Sequence, residues 1–340
     1  MIIKFIYFAP GGKELKRKFR LLVPIFTILS LFLLAGCGNT NEEAANKPEE
    51  ATKTKDTSYS VKHAMETTEI PATPERVVIL TNEGTEALLA LGVKPVGAVM
   101  SWGQDPWYEH ISADMEGVEV VGDENEVNIE KIAKLKPDLI IGNKIRQEAI
   151  YEQLKAIAPT VFSEDLAGDW KINFELYAKA LNLDKKGEEI LAQYDHKVEK
   201  LKTALGDKVN QEVSVIRFSS RPTRIYYTDS FSGVIFEQIG FKRAAHQAKL
   251  FTENNKMGNF AVEVDKELIP EMDADVLFYF TYADSVAVEE EWTNDPLWKN
   301  LEVVKKGNAH KVSDIIWNTA GGVLAANIML DDIEYIFSTQ

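Results

Sequence analysis

The segment DKKGEEILAQYDHKVEKLKTALG, residues 184–206, constrains the fold more than any other stretch of the chain. Apolar residues fall at Ile190, Leu191, Tyr194, Val198, Leu201 and Leu205, with charged residues between them. From Leu191 onward the spacings are three and four, the period of a helix that buries one stripe. Such a helix is about 33 Å long at 1.5 Å per residue. Gly206 stands where a terminating glycine belongs. On both sides of it the pattern changes to short β-rich apolar runs alternating with helical stretches. RVVIL (76–80), KPVGAV (94–99), VEVVG (118–122) and NIEKIAKLKPDLIIG (128–142) precede it. VSVIRFSS (213–220), RIYYTD (224–229), FSGVIFEQIG (231–240), DVLFYF (275–280) and GGVLAANIMLDDIEYIF (321–337) follow. Near-continuous Val/Ile/Leu runs between helices predict parallel strands covered on both faces. The expectation is two α/β halves flanking one long helix, and 340 residues are enough for two cores.

The first 36 residues stand apart. A basic stretch (Lys13 to Arg20) leads into the 14-residue, largely apolar run LLVPIFTILSLFLL (21–34), followed by AGC at Ala35, Gly36 and Cys37. That run is shorter than the roughly 20 residues a comfortable membrane span needs, and the order of parts is that of a secretory signal peptide. Cys37 is the one cysteine of the chain, so no internal disulfide can form. LLAGC resembles the bacterial lipobox, in which the cysteine is lipidated and begins the mature protein. The polar stretch after it reads as a flexible spacer. The expected organisation is therefore 1–36 signal peptide, 37–57 lipidated spacer, 58–183 N-terminal α/β lobe, 184–206 connecting helix and 207–340 C-terminal α/β lobe.

Residues 1–36 carry six basic side chains and one acidic, so their removal takes the formal net charge from -15 to -20. A chain this acidic has no basic surface to spare for phosphates, which excludes nucleic acid as a partner. Against that background RFSSRPTR (217–224) is conspicuous, because half of the six arginines beyond residue 36 lie in it. Arg217 falls inside an apolar strand, where a guanidinium is costly unless an anion pairs with it. Arg221 and Arg224 frame a proline-containing turn. Arginine supplies a planar donor fork suited to carboxylates, which lysine cannot imitate. The plainer reading is that these side chains pair with acidic residues of the same chain. No GxSxG, HExxH or GxxxxGK motif is present. The five histidines (63, 110, 196, 246, 310) lack metal-ligand spacing.

Five stretches, in order, resemble the substrate-binding lipoproteins of ABC importers for ferric siderophores: PERVVILTNEGTEALLALGVKPVG (74–97), VNIEKIAKLKPDLIIG (127–142), DSFSGVIFEQIGF (229–241), VDKELIPEMDADVLFYF (264–280) and WNTAGGVLAANIMLDDI (317–333). The likeness is greatest to the iron-hydroxamate type, including siderophores built on citrate. It implies two Rossmann-like lobes joined by a single helix, with the ligand in the cleft between them, and no enzymatic activity. It also implies a monomer on the outer face of a Gram-positive cell membrane, working with a permease and its ATPase. Ferric iron would enter only as part of the bound siderophore, with no intrinsic cofactor and no protein ligand to the metal. Haem, cobalamin or a ferric catecholate would be alternative cargoes for the same fold, and a surface enzyme or adhesion module is the rival of another class.

Open α/β sheets bind ligands beyond the carboxyl ends of their strands, which points to particular residues. Arg217, Arg221 and Arg224 form the expected anion-binding wall of the C-terminal lobe. Lys144 and Arg146, after the strand DLIIG, would answer them from the N-terminal lobe. Trp102, Trp317, Tyr226, Tyr227 and Tyr279 are candidate aromatic walls, each with core packing as its plainer reading. Asn82 and Glu83 are cleft neighbours, Asn82 with helix capping as its alternative. Gly321 and Gly322 are expected to permit close packing. By the family's motif positions, Glu130 and Glu267 would dock to permease arginines, although Glu263 and Glu271 lie close to the second.

Overall fold

The computed structural model describes residues 57–338, so the signal segment, Cys37 and most of the spacer lie outside the described residues. Among the described residues no helix is long and apolar enough to cross a membrane.

A short antiparallel hairpin, β1 (Tyr59–Lys62) with β2 (Thr67–Ile70), precedes the first sheet. That sheet holds β3 (Val77–Ile79), β4 (Gly97–Ala98), β5 (Glu119–Val120), β6 (Leu139–Asn143) and β7 (Thr160–Ser163), in the order β5-β4-β3-β6-β7. Every pairing in it is parallel, and β3, β6 and β7 are buried along their whole length. Their unbroken apolar runs have no solvated face because helices cover both sides. Strand order reverses at β3, the place where open sheets form a ligand crevice.

The second sheet holds β8 (Glu212–Phe218), β9 (Thr223–Tyr226), β10 (Lys242–Arg243), β11 (Ala261–Val264), β12 (Val276–Thr281) and β13 (Ala309–Lys311). Its order is β11-β9-β8-β12-β13, with β10 beside β8. Here the expectation of parallel strands holds only in part: β8, β10, β12 and β13 run parallel, but β9 pairs antiparallel with β8 on one side and β11 on the other. The cause is local, because only Ser219 to Pro222 separate β8 from β9. Four residues can close a hairpin and cannot carry a crossover.

The long helix is Asp184–Leu205, ended by Gly206 at φ 54°, a left-handed value that favours glycine. Leu191, Tyr194, Val198, Leu201 and Leu205 are buried, as the spacing predicts. Each such side chain contributes about 1.5–3 kcal/mol on burial. The helix holds both lobes. Gly187 lets it approach the helix Trp170–Ala180, where a Cβ would lie 2.6 Å from Ala178 Cβ. Tyr194 Oη donates to Gln238 Oε1 at 2.9 Å in the second lobe. Lys197 Nζ donates to the Asn327 carbonyl at 2.8 Å.

The C-terminal helix Val323–Ser338 returns across the lobe boundary. Its Ala325 N–H donates to Glu86 Oε2 at 2.9 Å, on the helix Asn82–Ala90 of the first lobe. Gly322 makes this approach possible, since a Cβ there would meet Glu86 Oε2 at 2.6 Å and the Glu83 carbonyl oxygen at 2.9 Å. Two α/β lobes joined by one long helix are thus the architecture, with a second, shorter contact near the cleft.

Candidate functional site

The carboxyl ends of both sheets face one cavity of about 380 Å³. The β8–β9 hairpin supplies the basic wall. Arg217 and Arg224 are cross-strand partners and so lie on the same face, while Arg221 sits at the exposed tip of the turn. Like charges directly opposed across strands repel, and each of these has an acid to offset it. Arg217 Nε and Nη2 donate to Asp314 Oδ1 and Oδ2 at 2.6 and 3.0 Å, a bidentate pair. Its Nη1 donates to Tyr226 Oη at 3.3 Å, and the guanidinium lies 4.6 Å from the Tyr282 ring centre. Burial works against this charge, but Tyr226 and Asp314 outweigh it and hold the guanidinium above its ordinary range. Arg224 Nη2 donates to Glu263 Oε1 at 3.0 Å, and its Nε is buried without a partner. Arg221 lines the cavity with no ion pair to any described residue.

From the first lobe come Trp102, beyond β4, and Arg146, beyond β6. Arg146 Nε lies 3.5 Å from Glu124 Oε2. The other oxygen of Glu124 accepts from the Asn82 backbone N–H and Nδ2 at 2.7 and 2.9 Å. Glu83 also lines the cavity, though it is only 5% exposed. Burial pushes its carboxyl well above the ordinary range; the nearby Asn173 amide opposes this, and the Glu124 and Glu86 carboxylates add to it. Neither of its carboxyl oxygens has a hydrogen-bond partner among the described residues.

One network crosses the floor between the lobes. Thr319 Oγ1 donates to Asp314 Oδ2 at 2.9 Å, and Tyr108 Oη donates to the Thr319 carbonyl at 3.3 Å while accepting from Trp102 N–H at 3.2 Å. The π-helical turn Ile315–Thr319 presents Asn318 and Thr319 to the cavity.

Of the residues singled out in the sequence, Arg217, Arg221, Arg224, Arg146, Trp102, Tyr226 and Glu83 meet in this cavity. Five others do not line it. Trp317 is fully buried, its Nε1 donating to Asp332 Oδ2 at 2.9 Å and its ring 4.8 Å from Phe278, because the turn that exposes Asn318 directs its neighbour inward. Tyr279 lies on the opposite face of β12 from Phe278 and Phe280 and packs on Phe218 and Trp298. Tyr227 stacks on Phe251 at 4.1 Å. Lys144 pairs with Glu164 at 2.5 Å. Asn82 is buried and orients Glu124, while the helix cap is Thr81, whose Oγ1 accepts from Gly84 N–H at 3.0 Å. Sequence reasoning missed Glu124, Phe260, Tyr282 and the Asn318–Gly321 turn. Only Glu124 carried a signal, as an acid just past the strand VEVV.

The two docking candidates are exposed at the starts of short helices, Glu130 in Ile129–Leu135 and Glu267 in Lys266–Met272. The nearby Glu263 and Glu271 are engaged by Arg224 and Lys249, whereas Glu267 has no ion pair to a described residue.

A family model described as periplasmic binding protein matches residues 77–311. The chain is 56% identical over 316 residues to a Bacillus subtilis protein named probable siderophore-binding lipoprotein YfiY, covering 91% of this chain and 95% of that one. It is 30% identical to the Fe(3+)-citrate-binding protein YfmC of the same organism, over 92% of this chain and 96% of the relative. Among solved structures it is similar to Staphylococcus aureus SirA complexed with staphyloferrin B. That likeness has a TM-score of 0.75 and 38% identity, and covers 82% of this chain and 98% of SirA.

Proposed function

This chain belongs to the periplasmic binding protein family, and from that premise we propose that it is the receptor of an ABC importer for a ferric siderophore. Cys37 would anchor it by lipid to the outer face of the cell membrane, and the spacer would let the lobes reach the permease. The preferred cargo is an anionic complex of hydroxamate or citrate-hydroxamate type. The observation that carries this is the β8–β9 hairpin, which turns three arginines toward one inter-lobe cavity and leaves Arg221 without an ion pair among the described residues. The names of the lipoprotein and ferric-citrate relatives support the same reading.

The chemistry is recognition without bond making. Ferric iron arrives wrapped in the oxygen donors of its chelator, and the guanidinium forks bind the outer carboxylate or hydroxamate oxygens. Trp102 forms an aromatic wall at the cavity's edge. Asp314 and Glu263 hold Arg217 and Arg224 in place before the ligand arrives, which reduces the ordering cost of binding. The connecting helix makes a stiff hinge, so closure is modest. Glu130 and Glu267 present one carboxylate per lobe to the permease, and its ATPase drives release.

The test is a tryptophan-fluorescence titration of residues 38–340 against ferric citrate, a ferric citrate-dihydroxamate, a ferric trihydroxamate, a ferric catecholate and haem, each beside its iron-free form. The citrate-dihydroxamate complex should bind below micromolar concentration and in preference to its iron-free form. Arg221→Ala should weaken it at least tenfold, the order expected for a hydrogen bond to a charged group. Preference for haem, or no sub-micromolar ligand in the panel, would refute the assignment.

A further inference from the structure

A second chamber of about 580 Å³ adjoins the arginine-lined cavity, and the two share Arg146, Leu166, Ala167 and Phe260 as common walls. The second chamber is chemically unlike the first. Its apolar lining includes Val234, Met257 and Ile145, the last 60% exposed. Its charged lining is Asp165, Asp169 and Asp229, with Arg146 on the shared wall as the one basic residue. None of the three aspartates has an ion pair to a described residue. Asp165 Oδ1 accepts from the Leu166 N–H and Asp229 Oδ1 from Thr228 Oγ1, both contacts within their own loops. Burial raises the Asp169 carboxyl, and the charges of Asp165 and Asp229 raise it further. Glu83, on the wall of the first cavity, lies within electrostatic reach of Asp169, and its buried carboxyl oxygens have no hydrogen-bond partner among the described residues.

Size adds an independent argument. Binding cavities for small ligands span about 300–1,000 Å³, so the first cavity alone accommodates a compact chelate and the adjoining chamber leaves room for more of the same ligand. The space beyond the arginines accommodates a ligand that extends past its iron-binding head.

We propose that this second chamber selects the arm of the siderophore, taking a methylene spacer ending in an amide or ammonium N–H and rejecting an arm that carries a carboxylate. The inference rests on the siderophore reading and names the substrate class within it. The head's oxygens meet the arginines, the spacer lies on Ile145, Val234 and Met257, and the N–H donors face Asp165 and Asp229. A carboxylate on the arm would be set among three others with only Arg146 to offset them.

The test uses two ferric citrate-dihydroxamate complexes, alike except that one bears a carboxylate on the carbon next to each amide nitrogen. The mature chain should bind the unsubstituted complex about tenfold more tightly, the order expected when like charges are set together at an interface. The Asp165→Asn/Asp229→Asn double variant should bring the ratio to within about twofold. An unfolding midpoint in urea unchanged from wild type reports that it is folded, and each single variant serves as a second measurement. Equal affinities in the wild type, a preference for the carboxylated arm, or a ratio unmoved by the Asn variants overturns the inference while leaving the siderophore reading intact. Failure of both complexes to bind the wild type overturns the siderophore reading, and this inference with it.

Discussion

Replacing Asp314 with alanine removes the carboxylate that holds Arg217 within the second lobe. The two side chains are 10% and 13% exposed and share hydrogen bonds of 2.6 and 3.0 Å. At such a separation the Coulomb attraction is about 6 kcal/mol for an effective dielectric of about 20. Most of it offsets the cost of taking both charges out of water. Deleting one partner leaves the other buried and uncompensated, which costs about 3–5 kcal/mol in comparable pairs. Arg217 keeps its hydrogen bond to Tyr226 and its place over the Tyr282 ring, so Asp314→Ala falls at the lower end, about 3 kcal/mol. For a body of this size that lowers Tm by about 6 °C. Urea denaturation and calorimetry of the mature chain measure it directly. The double variant Arg217→Met/Asp314→Ala removes both charges and should return to within about 1 kcal/mol of wild type. A loss under about 1 kcal/mol in Asp314→Ala, or a double variant no more stable than the single one, would show that the pair is solvated and refute this reasoning.

Three further outcomes are expected. Glu83 holds its proton well above the ordinary carboxylate range when folded, against about 4.3 in the unfolded chain. Stability therefore falls as pH rises through the unfolded value, because the unfolded chain ionises first. Glu83→Gln should match wild type in urea denaturation at pH 4 and exceed it at pH 8; the same difference at both pH values would count against a buried neutral acid. Gly322→Ala would set a Cβ 2.6 Å from Glu86 Oε2 and 2.9 Å from the Glu83 carbonyl, so overpacking should cost about 1–3 kcal/mol, and an unchanged Tm would mean the helices give way freely. Glu130→Ala and Glu267→Ala should leave siderophore affinity unchanged and abolish uptake of radiolabelled iron, whereas weakened binding would place these residues in the ligand site instead.

What could be read from the sequence, and what could not, divides along a physical line. The connecting helix was legible because its buried stripe repeats every three to four residues, a signal contained within the segment itself. The basic hairpin was legible because an arginine among Val, Ile and Phe contradicts the burial of its neighbours. Sidedness was not. Tyr279 and Trp317 stand one residue from positions on the other face, and a single step along a strand or a tight turn reverses the side. Partners distant in sequence were equally hidden: nothing near Arg217 announces Asp314, 97 positions away, and nothing near Arg146 announces Glu124. These hidden acids change the meaning of the cluster. Two of its three arginines are largely compensated before any ligand arrives, so the uncompensated pull on an anion falls on Arg221, at the turn. A site of three bare guanidinium groups would bind anions indiscriminately and release them slowly. With Asp314 and Glu263 in place, part of the attraction of Arg217 and Arg224 is already spent within the protein, which favours an anion that can engage several forks at once and still be released.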